Sequence, residues 1–501
     1  MNADKRRFKR TNHNPQSAIC NPQSVLAIDQ GTTKTKCFSL HPERGFERVV
    51  SPEHKQIYPR PGWVEHDPEE LLGNVTRCLE HAGNVSAIGL ANQGETVIAW
   101  DSKTGQPIYN AIVWQDQRTH DFVKRLKADG AEQLTLERAG LPLDPYFSAS
   151  KLRWIIDNVS GARDLLKKNR LRLGTSDAFF LDRLAFVYAT DVTTASRTSL
   201  MNLRSMMWDD ELCRLFGVPL EILPKIRPTT GEFGQVKIED GTIPITASVV
   251  DQQAALFGHR CFEPGQVKVT FGTGAFALAN AGATPRQDPD SGILATVAWQ
   301  LKDRAPVYAV DGGVYSAASA VDWLKRVGLI SGIEELGALK GDAAAAREIF
   351  FVPALSGLAC PYWDRTAAGL WIGLGLETTK EDLIKSVLEG VAFRTSEALS
   401  ALWHLVGESE TVSIDGGLTN NPYFCQFLAD VLNKNLRVPG AADMTALGTA
   451  YLAMLGATSS KREIELPDVS LGRTIISPKE DCSAHRSKFQ EAVSRSMNWR
   501  A

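Results

Sequence analysis

Asp251 is the residue whose type and setting best suit acid–base chemistry. It stands in "VVDQQAALFG" (249–258), where an apolar, strand-like run passes into a helical pattern. A carboxylate there can accept a proton from a hydroxyl group whose oxygen attacks a phosphorus atom. The alternative is structural, because Asp is also favoured at a helix N-cap. The two roles are compatible, since a cap also fixes the position of the carboxylate.

The stretch "DQGTTKTK" (29–36) combines a glycine bend with hydroxyl and amine donors. Glycine lets the backbone turn so that successive amides point inward, which is typical of a phosphate-binding nest. The side-chain donors are Thr32, Thr33, Lys34 and Lys36. Asp29 suits Mg²⁺, which prefers few carboxylates and several waters. The alternative is a plain hairpin with a solvated basic edge.

Two later turns have a related composition. "FGTGAF" (271–276) places the hydroxyl of Thr273 between two glycines, which permit close approach of the backbone. "DGGLTNN" (415–421) follows a strand-like run and precedes a helical one, so a phosphate or a flat ring can lie against its bare backbone. Each stretch is equally compatible with an ordinary tight turn.

Trp114 and Tyr146 offer apolar ring faces, and Tyr146 adds a hydroxyl group. That mixture suits a polyol, which presents C–H groups on one side and O–H groups on the other. The alternative for each ring is packing in the core.

The elements that must position these residues alternate between strand-like and helix-like patterns, which predicts an α/β fold. A strand–glycine turn–strand pattern occurs twice, in "SVLAIDQGTTKTKCFSL" (24–40) and in "GQVKVTFGTGAFALANA" (265–281). One such hairpin in each half suggests two similarly built domains that face each other. The stretch 380–406 has apolar residues at helical spacing.

Composition places the chain among ordinary globular proteins. Its 501 residues are 43% hydrophobic and carry a net charge of -3, which does not indicate nucleic acid or a membrane surface as the main partner. No apolar run approaches the roughly 18 residues of a membrane span. The eight cysteines form no C-x-x-C pair, so we expect a reduced, cytoplasmic setting. The basic residues 1–24 lack a secretory h-region, so we predict a disordered tail or an upstream start codon, with a targeting arm as the alternative.

Taken together, these motifs resemble the FGGY carbohydrate kinases from residue 25 to about 455. The stretches that carry the resemblance are "AIDQGTTKTK", "PRPGWVEHDPEEL", "NQGETVIAWDSKTGQPIYNAIVWQ", "GLPLDPYFSASKLRWIIDN", "TDVTTASRTSLMNL", "DQQAALFG", "FGTGAF", "GLACPYWDRTAAG", "GLWIGLGLETTKEDLIKSVLE", "DGGLTNN" and "TALGTAYLA". Their order and number make the resemblance specific.

The resemblance implies two actin-like, RNase H-type domains with ATP and substrate in the cleft between them. The N-terminal domain would span residues 25–247 and the C-terminal domain residues 248–501. The implied reaction transfers the γ-phosphoryl group of ATP to a primary hydroxyl of a small polyol or sugar, as in the glycerol kinases of this family. The alternative substrate is a larger polyol or a ketose. A homodimer or a homotetramer is left open.

The resemblance also assigns roles to residues. Asp251 would be the catalytic base, and Asp29 and Asp251 would organise Mg²⁺. ATP would be bound by Thr32, Thr33, Lys34, Lys36, Thr273, Gly417 and Asn421. The substrate would be bound by Gly94, Glu95, Trp114, Tyr146, Asp251, Gln252 and Phe276.

The sequence departs from the glycerol kinases of the family at several places. Gly94 in "NQGET" replaces an arginine, which removes a side chain with five donors. Asp116 in "WQDQRT" is expected near the substrate wall, as in sugar-directed members. Ala318 and Asp322 replace a glycine and a glutamine of the nucleotide pocket. The loop 231–246 lacks the glycine- and arginine-containing segment that responds to fructose 1,6-bisphosphate, so we expect that regulation to be absent.

Two rival classes share this scaffold. A non-catalytic sugar-binding protein would have a damaged base or phosphate turn, whereas Asp251 and Thr273 are present. An actin-like or Hsp70-like ATPase without a small-molecule acceptor would not need Glu95, Tyr146 or Gln252.

Overall fold

The computed structural model describes residues 24–41, 43–239, 241–440, 443–458, 466–467, 469 and 472–500. Apart from Ser24, the predicted N-terminal tail lies outside them. The strands are β1 (Val25–Gln30), β2 (Thr35–His41), β3 (Gly45–Val50), β4 (Glu65–His66), β5 (Ala87–Asn92), β6 (Val97–Asp101), β7 (Ala111–Ile112), β8 (Leu171–Thr175), β9 (Ala189–Asp191), β10 (Met201–Asn202), β11 (Met207–Trp208), β12 (Lys225–Arg227), β13 (Gln235–Ile238), β14 (Gly241–Val250), β15 (Val267–Phe271), β16 (Ala275–Gly282), β17 (Leu294–Trp299), β18 (Val307–Val314), β19 (Phe350–Val352), β20 (Leu370–Ile372), β21 (Thr411–Gly416), β22 (Asn435–Val438) and β23 (Thr474–Ile476).

The α-helices are α1 (Pro68–Glu80), α2 (His120–Ala128), α3 (Glu132–Ala139), α4 (Ser148–Asn158), α5 (Ala162–Lys167), α6 (Ser176–Ala185), α7 (Val192–Ala195), α8 (Asp210–Phe216), α9 (Asp251–Gly258), α10 (Ala318–Arg326), α11 (Lys380–Val406), α12 (Pro422–Leu432), α13 (Met444–Ala457) and α14 (Ser483–Ser496). Short 3-10 helices occur at Leu220–Ile222, Ile333–Ala338, Ala344–Arg347 and Gly417–Asn420. The helix predicted over residues 380–406 is confirmed as α11.

The first large sheet has the strand order β13-β14-β5-β1-β2-β3. Strand β1 pairs antiparallel with β2 and parallel with β5, and β5 pairs parallel with β14. Every residue of β1 and β5 is buried, which is typical of central parallel strands covered on both faces. Gln30 and Val250 both lie opposite Asn92, so β1, β5 and β14 end together at one edge. Ligand sites of α/β sheets lie at such an edge.

The second large sheet has the order β17-β18-β16-β15-β21-β22-β23 and repeats this plan. Strand β15 pairs antiparallel with β16 and parallel with β21, as β1 does with β2 and β5. Phe271 lies opposite Gly416, so the turns after β15 and β21 are neighbours. The two predicted hairpins, and the internal repeat that they suggested, are therefore confirmed.

Helices α9 and α13 join the two halves. A side chain on Gly258 would collide with the carbonyl of Met444, and one on Gly448 would collide with the carbonyl of Ala254. The two helices therefore touch backbone to backbone. Helix α13 also packs on the first sheet, where a Cβ on Gly89 would be 2.6 Å from the Thr449 carbonyl. The predicted boundary at residues 247 and 248 falls inside β14, and the extents of the two domains stay predictions.

A smaller sheet, β4-β7-β6-β8, lies in the N-terminal half. Glu95 precedes β6, Trp114 follows β7, and Tyr146 precedes α4. In the described part of the chain, no helix is long and apolar enough to cross a membrane. The seven cysteines of the described ranges are free and buried.

Candidate active site

A cavity of about 190 Å³ lies where the turns of the two large sheets face each other. Its lining includes nine residues that the sequence predicts: Thr32, Gly94, Glu95, Trp114, Tyr146, Asp251, Gln252, Thr273 and Phe276. A larger cavity, of about 490 Å³, lies beside α2 and α3 and is lined by none of the predicted site residues. Because the candidate chemical groups converge on the smaller cavity, it is the candidate active site.

Asp251 is the first residue of α9, immediately after β14. An Oδ1 atom of Asp251 accepts a 2.7 Å hydrogen bond from the N–H of Gln252. An N-cap side chain instead accepts from an N–H two or three residues further on, so the N-cap interpretation of Asp251 is wrong. Burial raises the pKa of Asp251, and the positive charge of Lys268 acts in the opposite direction. A raised carboxyl pKa brings a general base closer to a neutral operating pH.

Three aromatic rings form an apolar wall. The Trp114 ring centroid lies 5.7 Å from that of Tyr146 and 6.1 Å from that of Phe276, in both cases edge to face. The indole Nε1 of Trp114 donates a 3.0 Å hydrogen bond to Oγ1 of Thr32. This hydrogen bond connects the aromatic wall to the glycine turn between β1 and β2.

Backbone strain on the polar side of the cavity falls on Glu95 rather than on Gly94. Glu95 has a φ of 59°, in the left-handed region, where a non-glycine residue costs about 1–3 kcal/mol. Its Oε1 accepts a 2.6 Å hydrogen bond from Nε of Arg197. Gly94 does not need a left-handed conformation, but an added Cβ would lie 3.1 Å from Cγ1 of Val250. A larger residue at position 94 therefore requires a small shift of the Val250 side chain.

Lys36, just after the glycine turn between β1 and β2, forms ion pairs with two carboxylates. Nζ of Lys36 lies 3.3 Å from Oδ2 of Asp29 and 2.7 Å from Oδ2 of Asp443. Oδ1 of Asp29 is buried and has no hydrogen-bond partner. Burial raises the pKa of Asp29 to about 7, against the opposing effect of Lys36. Thr33 and Lys34 are exposed.

The glycine turn between β15 and β16 accepts hydrogen bonds from the backbone at the start of α10. The carbonyl of Thr273 accepts hydrogen bonds of 2.9 Å and 3.1 Å from the N–H groups of Ala317 and Ser319. Ala318 donates its N–H to the carbonyl of Gly272 at 3.0 Å. Asp322, on the same helix, is exposed.

Gly417 and Asn421 do not line the cavity, although their turn is next to that of Thr273. Gly417 is exposed. Oδ1 of Asn421 accepts a 2.8 Å hydrogen bond from the N–H of Phe424 and so caps α12. Nδ2 of Asn421 donates to the carbonyl of Leu336 at 3.0 Å. The Asn421 side chain therefore has a structural role, and its contact with a nucleotide stays a prediction.

Sequence comparison matches both halves of the chain to one family. The FGGY family of carbohydrate kinases matches residues 24–258 with its N-terminal domain and residues 267–457 with its C-terminal domain. The chain belongs to the FGGY family of carbohydrate kinases. It is therefore an ATP-dependent carbohydrate or polyol kinase with the α/β, two-domain fold that the sequence predicts.

Individual relatives of this FGGY kinase match over nearly its whole length. Glycerol kinase from Thermococcus onnurineus is 40% identical over 489 residues, which cover 95% of this chain and 98% of that protein. Glycerol kinase 2 from Thermotoga maritima is 39% identical, covering 95% and 99%. The crystal structure of Plasmodium falciparum glycerol kinase with ADP is 32% identical, with a TM-score of 0.87 and coverage of 94% and 98%.

Asp116, expected near the substrate wall of the kinase, does not line the cavity. Asp116 is fully buried and its carboxylate is occupied by structural partners. Oδ2 accepts hydrogen bonds from the N–H of Val64 at 2.6 Å and from Nη2 of Arg118 at 2.8 Å. Oδ1 accepts from Nε of Arg118 at 2.8 Å. Asp116 thus neutralises a buried arginine that lies over the ring of Trp63.

Replacing Asp116 with asparagine is expected to lower the free energy of unfolding by about 2 kcal/mol, because Arg118 loses one of its two buried carboxylate partners. The ratio of kcat/KM values among polyols should not change. Chemical denaturation and a coupled kinase assay measure the two quantities. A shift in substrate preference without a loss of stability would contradict this structural role and show that Asp116 affects substrate binding.

Two buried cations beside the cavity were missed from the sequence. Arg197 lines the cavity and follows α7, and Lys268 lies on β15. Nζ of Lys268 donates to Oε1 of Gln252 and, at 3.1 Å, to Oγ1 of Thr270. Burial lowers the pKa of Lys268, and the nearby carboxylates oppose this effect. The available signal was a single lysine inside an otherwise apolar strand pattern, "VKVTF", where burial requires partners.

Proposed function

We propose that this kinase transfers the γ-phosphoryl group of ATP to a primary hydroxyl of glycerol or another small polyol. The observation that carries the proposal is the convergence of Asp251, an aromatic wall and the Glu95–Arg197 pair on one cavity of about 190 Å³. Sites for drug-sized ligands measure about 300–1,000 Å³, so this cavity suits a smaller molecule. The names of the relatives, glycerol kinases at 39–40% identity, support the same substrate class.

In the proposed complex, the carbon chain of the polyol lies against Trp114 and Phe276. Its hydroxyl groups bind Glu95, Tyr146 and Gln252. Burial raises the pKa of Tyr146 well above its ordinary value, so its phenol stays protonated and can donate a hydrogen bond. Apolar rings on one side and polar groups on the other match the two faces of a polyol.

Asp251 acts as the general base in this proposal. Its carboxylate accepts the proton of the primary hydroxyl while that oxygen forms a bond to the γ-phosphorus. The bond from the γ-phosphorus to the bridging oxygen of ATP breaks, and ADP leaves with the electron pair. Closure of the site against water favours transfer to the polyol over hydrolysis.

The phosphates of ATP are proposed to bind between the two turns. The donors are Thr32, Thr33, Lys34, Lys36 and Thr273. Gly417 and Asn421 are proposed to border the nucleoside. Thr32 and Thr273, one from each turn, both line the cavity, which supports this part of the proposal.

Mg²⁺ is proposed to be held by Asp29 and Asp251. The described residues contain no group of three or more His, Cys, Asp or Glu side chains that would hold a metal by themselves. The donor set still fits Mg²⁺, because Oδ1 of Asp29 is buried without a partner and Mg²⁺ is commonly held by one or two carboxylates plus substrate phosphates. Bound Mg²⁺ neutralises charge on the transferred phosphoryl group.

A cytoplasmic location is also proposed, since the described cysteines are free thiols.

The test is a coupled ADP-release assay of the purified enzyme with Mg-ATP and glycerol, erythritol, pentitols, hexitols and ketoses. We expect the highest kcat/KM with glycerol. A clear preference for erythritol, a pentitol or a ketose, with poor use of glycerol, would assign the enzyme to the alternative substrate class. ATP hydrolysis that no polyol accelerates would contradict the proposal.

Replacing Gly94 with arginine should shift the kcat/KM ratio toward glycerol and away from five-carbon polyols by at least about tenfold. The new side chain fills space in the cavity and adds donors near Glu95. Gly94→Ala is the matched control, because it adds only the Cβ that presses on Val250. The same assay measures both variants. Equal ratios in the arginine and alanine variants would show that position 94 does not set substrate length.

A further inference from the structure

Arg197 is a buried cation whose hydrogen bonds are incomplete. Only 3% of the residue is exposed, and it lines the cavity. Nε binds Oε1 of Glu95 at 2.6 Å, and Nη2 binds Oδ2 of Asp311 at 2.8 Å. Nη1 is buried and has no hydrogen-bond partner. A buried guanidinium N–H without an acceptor costs free energy, so an oxygen that a ligand brings to this atom would stabilise the site.

The surroundings fix the direction of the guanidinium group. Asp191 caps α7 by accepting from the N–H groups of Thr193 and Thr194, both at 2.9 Å, and Arg197 follows two residues after the end of this helix. Glu95 comes from the first half of the chain and Asp311 from β18 of the second sheet. The guanidinium is therefore held between the two halves, and two ion pairs limit its movement.

We propose that Nη1 of Arg197 donates a hydrogen bond to a non-reacting hydroxyl of the substrate and thereby sets which polyols are accepted. This inference rests on the proposed function. A hydroxyl group of the polyol can accept from Nη1, while another of its hydroxyl groups donates to the Glu95 carboxylate. Gly94, which precedes Glu95 on the polar side of the cavity, offers no side-chain donor. Arg197 is thus the arginine available to the substrate on the polar side of the cavity.

A substrate that lacks this hydroxyl leaves Nη1 of Arg197 without an acceptor in a buried site. Sites built to hydrogen-bond a hydroxyl reject the corresponding deoxy compound strongly. The prediction therefore concerns selectivity, which a purely structural role of Arg197 would not determine.

The experiment compares glycerol with 1,3-propanediol and 1,2-propanediol, which lack the central and one terminal hydroxyl. The wild-type enzyme should discriminate against at least one diol by about 100-fold or more in kcat/KM. Arg197→Lys keeps the positive charge between Glu95 and Asp311 but loses the forked donor geometry. In this variant we expect kcat/KM for glycerol to fall about 10- to 100-fold, with a much smaller loss for that diol.

Arg394→Lys is the matched control. Arg394 is also fully buried, binds Glu397 and the carbonyl of Cys360, and lies on α11 away from the cavity. Its replacement should lower stability and leave the glycerol-to-diol ratio unchanged. Because a ratio does not depend on the folded fraction, partial unfolding of either variant does not affect the comparison.

The outcomes separate the two proposals. If the wild-type enzyme phosphorylates no polyol, the proposed function fails and this assignment with it. If it phosphorylates glycerol and Arg197→Lys keeps the wild-type ratio, only the assignment of Arg197 fails. If the variant does not fold, a crystal structure of the wild-type enzyme with glycerol decides: Nη1 within about 3.2 Å of a glycerol oxygen supports the assignment, and a greater distance overturns it.

Discussion

Replacing Asp251 with asparagine is expected to lower kcat by about 10³- to 10⁴-fold while ATP still binds. Asparagine has nearly the same shape and keeps an oxygen that accepts from the N–H of Gln252, so α9 should start as before. It cannot take the proton of the substrate hydroxyl at neutral pH. The loss should therefore appear in kcat, measured with saturating polyol, rather than in the affinity for ATP measured by calorimetry.

Asp210→Asn is the matched control for this substitution. Asp210 occupies the same first helical position in α8 that Asp251 occupies in α9, but it is exposed and remote from the cavity. Its replacement removes a similar charge from a helix N-terminus and should leave kcat close to the wild-type value. Near-normal turnover by Asp251→Asn would refute the assignment of the base.

Replacing Lys268 with methionine is expected to lower kcat/KM for the polyol by about 100-fold. Nζ of Lys268 holds Oε1 of Gln252, which fixes the direction of the Gln252 amide toward the cavity. The same positive charge opposes the effect of burial on the Asp251 carboxyl group. Lys268 is thus a positioning residue, and the KM for ATP should change much less than the KM for the polyol.

Two comparisons separate this role from a loss of fold stability. Lys385→Met removes another buried lysine, on α11, whose Nζ binds the backbone carbonyls of Lys340 and Asp342. It should lower stability without a selective change in the KM for the polyol. In a Gln252→Met background, Lys268→Met should cost far less than in the wild type, because residues that act through each other are not additive. Additive losses would contradict the positioning role.

The local elements of this fold are predictable because their signals are local. The glycine turns after β1 and β15 predicted hairpins, and the apolar run before Asp251 predicted the passage from β14 into α9. The repeated hairpin also predicted two sheets of the same plan. Each of these predictions depends on residues within one short stretch of chain, where periodicity and turn chemistry decide the structure.

The long-range partners were not predictable in the same way. Arg197 binds Glu95, 102 residues earlier in the chain, and no local pattern pairs them. Lys268 and Gln252 meet because β15 and α9 pack together. Asp116 was the opposite case, since its partner Arg118 is only two residues away and the pair was present in "DQR". The resemblance to sugar-directed kinases suggested a place near the substrate, whereas the local sequence already indicated an ion pair with Arg118.

The central claim is that a polyol hydroxyl beside Asp251 receives the γ-phosphoryl group of ATP. Phosphorus and carbon NMR of a reaction containing the purified enzyme, Mg-ATP and ¹³C-glycerol tests it most directly. The account predicts a phosphomonoester on a primary carbon of glycerol, formed in equal amount to ADP. ADP formed together with inorganic phosphate, and no phosphorylated glycerol, would contradict it.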